Sequence, residues 1–173
     1  MKSKLVGLHH VGAFVAATDI AIRLGLSANQ IEAGLYKTKP FDHRLEPKFG
    51  ADGVVTLDDS YNGNPDGVKA VIEFLSGLPG RKWYVTPGLV EMGVRKAEVH
   101  RVIGAQLAQN GIEKVVLIRN SVTPYIYEGL KNADYKGDVI WFDDALAAFA
   151  ALPKMTVKGD VVLLQNDWPD QYA

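Results

Sequence analysis

Two adjacent carboxylates, Asp58 and Asp59, stand where a short apolar run gives way to a series of polar residues. The run 54–57 (VVTL) predicts a buried strand, and the stretch 60–64 (SYNGN) can both turn and hydrogen-bond. Pro65 can then occupy the first turn of a helix. Open α/β sheets bind ligands at such strand-to-helix loops, so the sequence predicts a ligand site here. These residue types also form ordinary turns, but the concentration of functional groups in one loop favours the site.

Other residues that could do chemistry lack the partners that the chemistry needs. The sequence contains neither a P-loop (GxxxxGK followed by Ser or Thr) nor a GxGxxG motif, so its own motifs do not cradle a triphosphate. The adjacent His9 and His10 have no carboxylate or thiol at metal-binding spacing, so we predict no metal site. His43 and His100 stand in no recognisable constellation. Ser60 lacks the GxSxG turn of a nucleophilic hydrolase.

The composition excludes several classes of protein. The chain has 173 residues, 47% of them hydrophobic, which suffices for one domain with a real core. Its formal net charge is −1, without the basic surface that a nucleic-acid or membrane-surface binder needs. The absence of cysteine excludes disulfides and thiolate metal sites. No run approaches the roughly 20 apolar residues of a membrane span, and no signal peptide is evident. We therefore expect a soluble cytoplasmic protein. We also expect a monomer, although the composition does not determine the oligomeric state.

From residue 54 onward, strand and helix patterns alternate. Strands are predicted at 54–57, 83–85, 114–118, 139–142 and 161–164, and helices from Pro65, over 96–109, after Ser121 and Thr123, and over 143–152. Within the helix at 96–109, Val99, Val102, Ile103 and Leu107 are predicted to face inward. A hairpin signal at 51–53 joins a further strand at 44–49 to the first of these. Repeated βα units predict an α/β fold with a mostly parallel sheet and helices on both faces.

The first 37 residues show a different pattern. A short strand is possible at 4–8, followed by an Ala-rich helix over 11–24 whose composition suits packing on several sides. Ser27 is a good N-cap for a second helix, with Gln30 at the capping-box position. We place a boundary near residues 37–41, because two short helices bury little by themselves.

Several stretches, taken in order, resemble the Mur ligase family of ATP-dependent amide ligases, which build the peptide stem of the bacterial cell wall. They are LVGLHHVGAFVAA (5–17), PFDHRLE (40–46), DDSYNGNPDGVKA (58–70), VEMG (90–93), VHRVIGAQLA (99–108) and GDVVLL (159–164). The third stretch is the most specific and is most similar to the MurF type, UDP-N-acetylmuramoyl-tripeptide:D-alanyl-D-alanine ligase. The resemblance implies that 1–37 are the tail of the central ATP-binding domain and 38–173 the C-terminal, Rossmann-like three-layer domain. It also implies a larger ligase, of which this part alone is inactive.

The resemblance implies ATP and Mg²⁺ as cofactors, bound mainly by the central ATPase domain. It assigns nucleotide binding to four residues: His9, His10, Arg44 and Asp59. It assigns substrate binding to three loop residues: Tyr61, Asn62 and Asn64. No catalytic residue and no metal ligand is assigned. The implied partners are the nucleotide, a UDP-linked peptide, an amino acid or dipeptide, and the other domains of the ligase.

The sequence departs from the family pattern at several places, which include Ala13 in place of a second asparagine and Pro-Gly-Leu at 87–89 in place of Gly-Asp-Met, and two departures bear on ligand binding. The asparagine that usually follows the family histidine is His10, and the usual V-K-G-S-R ending is Leu-Gln-Asn-Asp-Trp at 164–168. The second change removes the lysine and arginine expected to meet an anionic acceptor. These departures keep an alternative open, a non-catalytic α/β module that binds a nucleotide or a partner and derives from the same fold.

Overall fold

A six-stranded sheet forms the centre of the computed structural model, which describes residues 3–61 and 63–165, with only the backbone of His9. Its strands are β1 (Glu46–Phe49), β2 (Val55–Asp59), β3 (Lys82–Thr86), β4 (Lys114–Ile118), β5 (Asp138–Phe142) and β6 (Val161–Gln165). They lie in the order β1-β2-β6-β3-β4-β5. Among the described strands, β1 pairs antiparallel with β2, and the two strands form a hairpin. The other pairings are parallel.

The described helices are α1 (Val11–Arg23), α2 (Ala28–Lys37), α3 (Pro65–Ser76), α4 (Lys96–Gln109), α5 (Thr123–Asn132) and α6 (Ala145–Met155). Helices α3 to α6 cover the two faces of the sheet. Residues of α3, α4 and α5 pack into one buried cluster with one face of the sheet, and residues of α6 pack into a second cluster with the other face. The predicted three-layer α/β fold with a mostly parallel sheet is therefore confirmed. Among the described helices, none combines the length and apolarity needed to cross a bilayer.

Local sequence signals explain where the helices begin. The side chain of Asn64 accepts a hydrogen bond from the Gly67 N–H at the start of α3, and Pro65 occupies its first turn. The predicted capping box of α2 is also present, because Ser27 and Gln30 bond reciprocally. Gly25 follows α1 with φ of +83°, a conformation that glycine adopts without steric cost.

Two predictions for the first part of the chain are wrong. The possible strand at 4–8 is absent, and Leu8–His10 instead form one turn of 3₁₀ helix. The helix at 11–24 is found as Val11–Arg23, but none of its residues is buried. Its apolar composition therefore does not reflect packing on several sides within the described residues.

Two details of the later helices also differ from prediction. Val102 of α4 is 50% exposed, while His100 and Gly104 lie on the buried face. The start of α5 is not capped by Ser121 or by the side chain of Thr123. Instead, the Asn120 side chain accepts hydrogen bonds from the N–H groups of Val122 and Thr123. An asparagine side chain often bonds the backbone N–H groups that follow it, and here Asn120 takes this role instead of the two residues predicted.

Helices α4 and α5 cross in backbone contact at Gly104. A Cβ atom added there would lie 2.0 Å from the carbonyl oxygen of Ile126. We expect Gly104→Ala to lower the free energy of unfolding by about 1–3 kcal/mol, because a backbone oxygen cannot yield without moving a helix. Gly34→Ala in α2 is the matched control, since nothing lies within 4 Å of its added Cβ. Urea denaturation of both variants tests this, and equal stability would contradict the close crossing.

Candidate functional site

A cavity of about 390 Å³ opens beside the carboxyl ends of β2 and β6. Its lining includes His10, Arg44, Asp59, Asn64 and Gln165. A cavity of this size is typical of small-molecule sites. The structure thus brings together four residues that the sequence singled out, and it adds Gln165.

Asp59, the last residue of β2, is held by two hydrogen bonds. Its Oδ1 accepts from the backbone N–H of Leu45 at 3.0 Å, and its Oδ2 accepts from Nε2 of Gln165 at 2.7 Å. The second contact follows from the sheet, because β2 and β6 are parallel neighbours with Asp59 opposite Gln165. The carboxylate is therefore oriented at the cavity by groups that lie far from it in sequence.

Arg44 lies in a turn of unusual backbone conformation. His43 and Leu45, on either side of it, have φ values of +60° and +48°, which non-glycine residues seldom adopt. The Arg44 guanidinium lies over the ring of Tyr61, 4.4 Å from its centroid, a cation–π arrangement. The backbone N–H of Tyr61 donates to the carbonyl of His43 at 3.2 Å. The turn at 43–45 and the loop after β2 therefore hold each other in place.

Asp58 points away from Asp59 to a separate set of partners. It is buried, and its carboxylate accepts hydrogen bonds from Lys48 Nζ at 2.6 Å, His43 Nδ1 at 2.9 Å and Ser60 Oγ at 2.6 Å. Burial alone would raise the pKa of Asp58, but the bonds from Lys48, Ser60 and His43 outweigh it and hold that pKa below its usual value. The same contact raises the pKa of Lys48.

The two histidines predicted to lack a constellation do have partners. His43 donates to Asp58, which ties the turn beside Arg44 to the end of β2. His100 is fully buried, with Nε2 accepting from the Leu89 N–H at 2.9 Å and Nδ1 donating to the Lys96 carbonyl. Burial lowers the pKa of His100, and the two bonds fix the loop after β3. Both histidines are structural, a role that spacing alone cannot show.

The loop residues predicted to bind substrate have different local roles. The Asn64 side chain caps α3, so its oxygen is engaged with the Gly67 N–H at 2.9 Å. Tyr61 is half exposed and stacks on Arg44. Asn62 and the His9 side chain lie outside the described residues. His10 begins the turn into α1, and its ring lies 6.4 Å from that of Phe14. Substrate and nucleotide binding by these residues stay predictions.

Gln165 is the site residue that the sequence reasoning missed. In the sequence, Gln165 stands out only as part of the altered ending at 164–168. The signal that could have found it is its position at the end of the last strand, because the carboxyl ends of parallel strands share one edge. In the described part of the chain, no group of three or more His, Asp or Glu side chains could hold a metal ion.

Comparison with known proteins gives two relatives that carry the same name. The chain is 30% identical over 114 residues to UDP-N-acetylmuramoyl-tripeptide–D-alanyl-D-alanine ligase of Escherichia coli (strain K12), covering 66% of this chain and 25% of that protein. It is 26% identical over 176 residues to the enzyme of the same name from Mycobacterium leprae (strain TN), covering 92% of this chain and 34% of that protein. The chain thus spans between a quarter and about a third of these relatives.

Solved structures show the same fold. MurF from Acinetobacter baumannii superposes with a TM-score of 0.79 at 22% identity, over 98% of this chain and 37% of that one. The MurF ligase from Thermotoga maritima in complex with ADP superposes with a TM-score of 0.68 at 24% identity, over 86% of this chain and 32% of that one.

A family model provides the assignment. The model described as "Mur ligase, glutamate ligase domain" matches residues 43–165, which run from the turn beside Arg44 to Gln165 at the edge of the cavity. That match covers well over half of the 173 residues, and the chain therefore belongs to the Mur ligase family through its glutamate ligase domain.

Proposed function

We propose that this chain is the C-terminal domain of an ATP-dependent amide ligase of the MurF type, in peptidoglycan precursor synthesis. In that role it closes over the nucleotide and binds the amine substrate. The observation that carries the assignment is that Arg44 and Asp59 border one cavity at the carboxyl edge of the sheet. If the two side chains faced opposite sides of the molecule, they could not bind one nucleotide together, and the family likeness would not explain how the domain works.

The chemistry of the two side chains suits the two ends of a nucleotide. A guanidinium offers a fork of donors to phosphate oxygens, and Arg44 is held in place by Tyr61. A carboxylate accepts hydrogen bonds from sugar hydroxyls, and the carboxylate of Asp59 is oriented at the cavity by Leu45 and Gln165. The relative from Thermotoga maritima was solved with ADP, which supports nucleotide binding here.

Residues 1–37 are, in this proposal, the tail of a central ATP-binding domain, and 38–173 form the C-terminal domain. The exposed apolar surface of α1 supports this division, with Val15 at 64%, Ile20 at 57% and Ile22 at 60% exposure. A largely apolar cavity of about 510 Å³ lies along the same helix. A helix with such a surface is usually covered by another element. The described residues offer no cluster for Mg²⁺, so the ion that accompanies ATP would be held by the central domain.

The reaction of such a ligase begins when ATP phosphorylates a substrate carboxylate, and an amine then displaces the phosphate to form an amide. The contribution of this chain is positioning and charge compensation, since Arg44 and Asp59 would orient the nucleotide. The substrates would be a UDP-linked peptide and an amino acid or dipeptide. Residues 1–173 contain no P-loop, so we expect no ligation by them alone. We place the enzyme in the cytoplasm, as a monomer.

The complete product of the gene that encodes this chain provides the test. We expect its reading frame to contain a P-loop before the present residue 1. We also expect ATP hydrolysis that depends on UDP-N-acetylmuramoyl-tripeptide together with D-alanyl-D-alanine, measured as phosphate release and as ligated product by mass spectrometry. A gene product that neither binds ATP nor joins an amine to a UDP-linked peptide would overturn the assignment.

One observation favours the second candidate, a non-catalytic nucleotide- or partner-binding module. Gln165, where the family pattern has lysine, places a neutral amide against Asp59. A neutral glutamine in place of a lysine leaves the cavity with one positive charge fewer, which weakens the attraction of the cavity for an anionic acceptor. In the same assay the module would release no phosphate and form no ligated product with any UDP-linked peptide and amine.

A further inference from the structure

Gln165 combines burial with an unused acceptor at the edge of the cavity. The residue is 1% exposed and is one of those lining the cavity. Its Nε2 donates to Asp59 Oδ2 at 2.7 Å, whereas its Oε1 accepts no hydrogen bond from any described residue. Buried side-chain oxygens are nearly always hydrogen-bonded, because leaving one unpaired costs its lost hydration. The missing partner therefore points to a donor that arrives from the cavity.

The orientation of the Gln165 amide is fixed by its neighbour. A carboxylate can only accept, so the amide must turn its NH₂ group toward Asp59. The opposite orientation would place two oxygens against each other at 2.7 Å. The register of β2 and β6 sets Asp59 directly beside Gln165, so the pair cannot drift apart without breaking the sheet. The atom left for a ligand is therefore an oxygen, which requires a donor.

We propose that Gln165 is a ligand-contacting residue that accepts a hydrogen bond from a hydroxyl of the nucleotide sugar. This role rests on the nucleotide-binding function proposed above. Asp59 and Gln165 present two adjacent acceptors, which match the two neighbouring hydroxyl donors of a ribose. An ammonium group would also donate, but Arg44 lines the same cavity and its positive charge disfavours a second cation. A neutral diol next to an anionic phosphate suits both the carboxylate of Asp59 and the guanidinium of Arg44.

The proposed contact depends on the identity of residue 165. A lysine at this position would still donate to Asp59, but an ammonium has no acceptor. Gln165→Lys therefore separates the two functions of the side chain, because it keeps the bond to Asp59 and removes the acceptor. Gln165→Met removes both while keeping the length of the side chain. Gln109→Met, an exposed glutamine of α4 that does not line the cavity, is the matched control.

The test compares the dissociation constants of ATP, 2′-deoxy-ATP and 3′-deoxy-ATP for the complete gene product and its variants by calorimetry. We expect wild type and Gln109→Met to discriminate against at least one deoxy analogue. We expect Gln165→Lys and Gln165→Met to lose about 2- to 10-fold of that discrimination, the strength of one neutral hydrogen bond. Their affinity for the analogue that lacks the relevant hydroxyl should change less than the affinity for ATP.

The possible failures are distinguishable. Unchanged discrimination against both analogues in Gln165→Lys and Gln165→Met would overturn the role of Gln165 and leave nucleotide binding intact. A wild-type protein that binds none of the three nucleotides would overturn the proposed function, and this role with it. If the variants do not fold, NMR of the wild-type protein still tests the contact. Its Gln165 side-chain NH₂ resonance should respond differently to ATP and to one deoxy analogue, and an equal response to all three contradicts the contact.

Discussion

Arg44→Ala in the complete gene product is expected to raise the KM for ATP by about 10- to 100-fold, the equivalent of one charge-assisted hydrogen-bonding group. The side chain lines the cavity and is held over the Tyr61 ring, so its loss would remove a positioned cation from the phosphate end of the proposed nucleotide site. Steady-state kinetics with ATP as the varied substrate measure the effect. The melting temperature should change little, because Arg44 is exposed.

Two further variants give the Arg44 result its meaning. Arg44→Lys keeps the charge but loses the planar fork, so we expect an intermediate KM. Arg101→Ala is the matched control, because Arg101 also lies over a tyrosine, 5.1 Å from the Tyr125 ring centroid, but does not line the cavity. Its KM should match that of wild type. If Arg44→Ala and Asp59→Asn both have the wild-type KM for ATP, the assignment of the nucleotide site to this cavity is wrong.

Apart from the family resemblance, the sequence indicates a pair of carboxylates without separating their roles. Asp58 and Asp59 are adjacent on a strand, where successive side chains point to opposite faces. The structure shows that Asp58 is buried and engaged with Lys48 and His43, whereas Asp59 borders the cavity. Which face of β2 meets the cavity depends on β1 and β6, so no local pattern around the pair could decide it.

Elements with a strong local signal were predicted best. The helix at 96–109 and the strand at 114–118 have the predicted bounds in the structure. The first carries apolar residues at helical spacing, and the second is a continuous apolar run covered on both faces. The hairpin, the start of α3 at Pro65 and the capping box at Ser27 also follow from local chemistry. In each case, the residues that determine the element are close in sequence.

The composition of the cavity could not be predicted in the same way, because it depends on long-range pairing. Strand β6 inserts between β2 and β3, which brings Gln165 to Asp59 across 106 residues of sequence. The left-handed conformations of His43 and Leu45 could not be predicted either, since non-glycine residues adopt them only in a small minority of cases. Tertiary contacts impose both features. Motif resemblance identified Arg44 and Asp59, but only the fold shows how their neighbours hold them.

Asp160→Ala is expected to lower the free energy of unfolding by about 2–4 kcal/mol, because it leaves buried donors unpaired. The Asp160 carboxylate is almost completely buried just before β6. It accepts two hydrogen bonds from Arg81, at 3.0 and 2.7 Å, one from Trp83 Nε1 at 3.0 Å and one from the Val157 N–H at 2.9 Å. The cluster fastens β6 to β3 at the end of the sheet opposite the cavity. Chemical denaturation at neutral pH measures the loss.

The pH dependence of the free energy of unfolding distinguishes the buried Asp160 carboxylate from a charged side chain at the surface. Burial alone would raise the pKa of Asp160, but the bonds from Arg81 and Val157 outweigh it and hold that pKa below its usual value. The unfolded chain therefore binds the proton first as the pH falls below about 4, and the contribution of Asp160 disappears as the pH falls through the folded pKa. Asp160→Asn should be less stable at neutral pH and lose less stability on acidification. Asp134→Asn is the control, because Asp134 pairs with Lys136 at the surface, where both side chains are mostly exposed. If wild type and Asp160→Asn lose equal amounts of stability as the pH falls, the ionised form of Asp160 does not stabilise the pairing of β6 with β3.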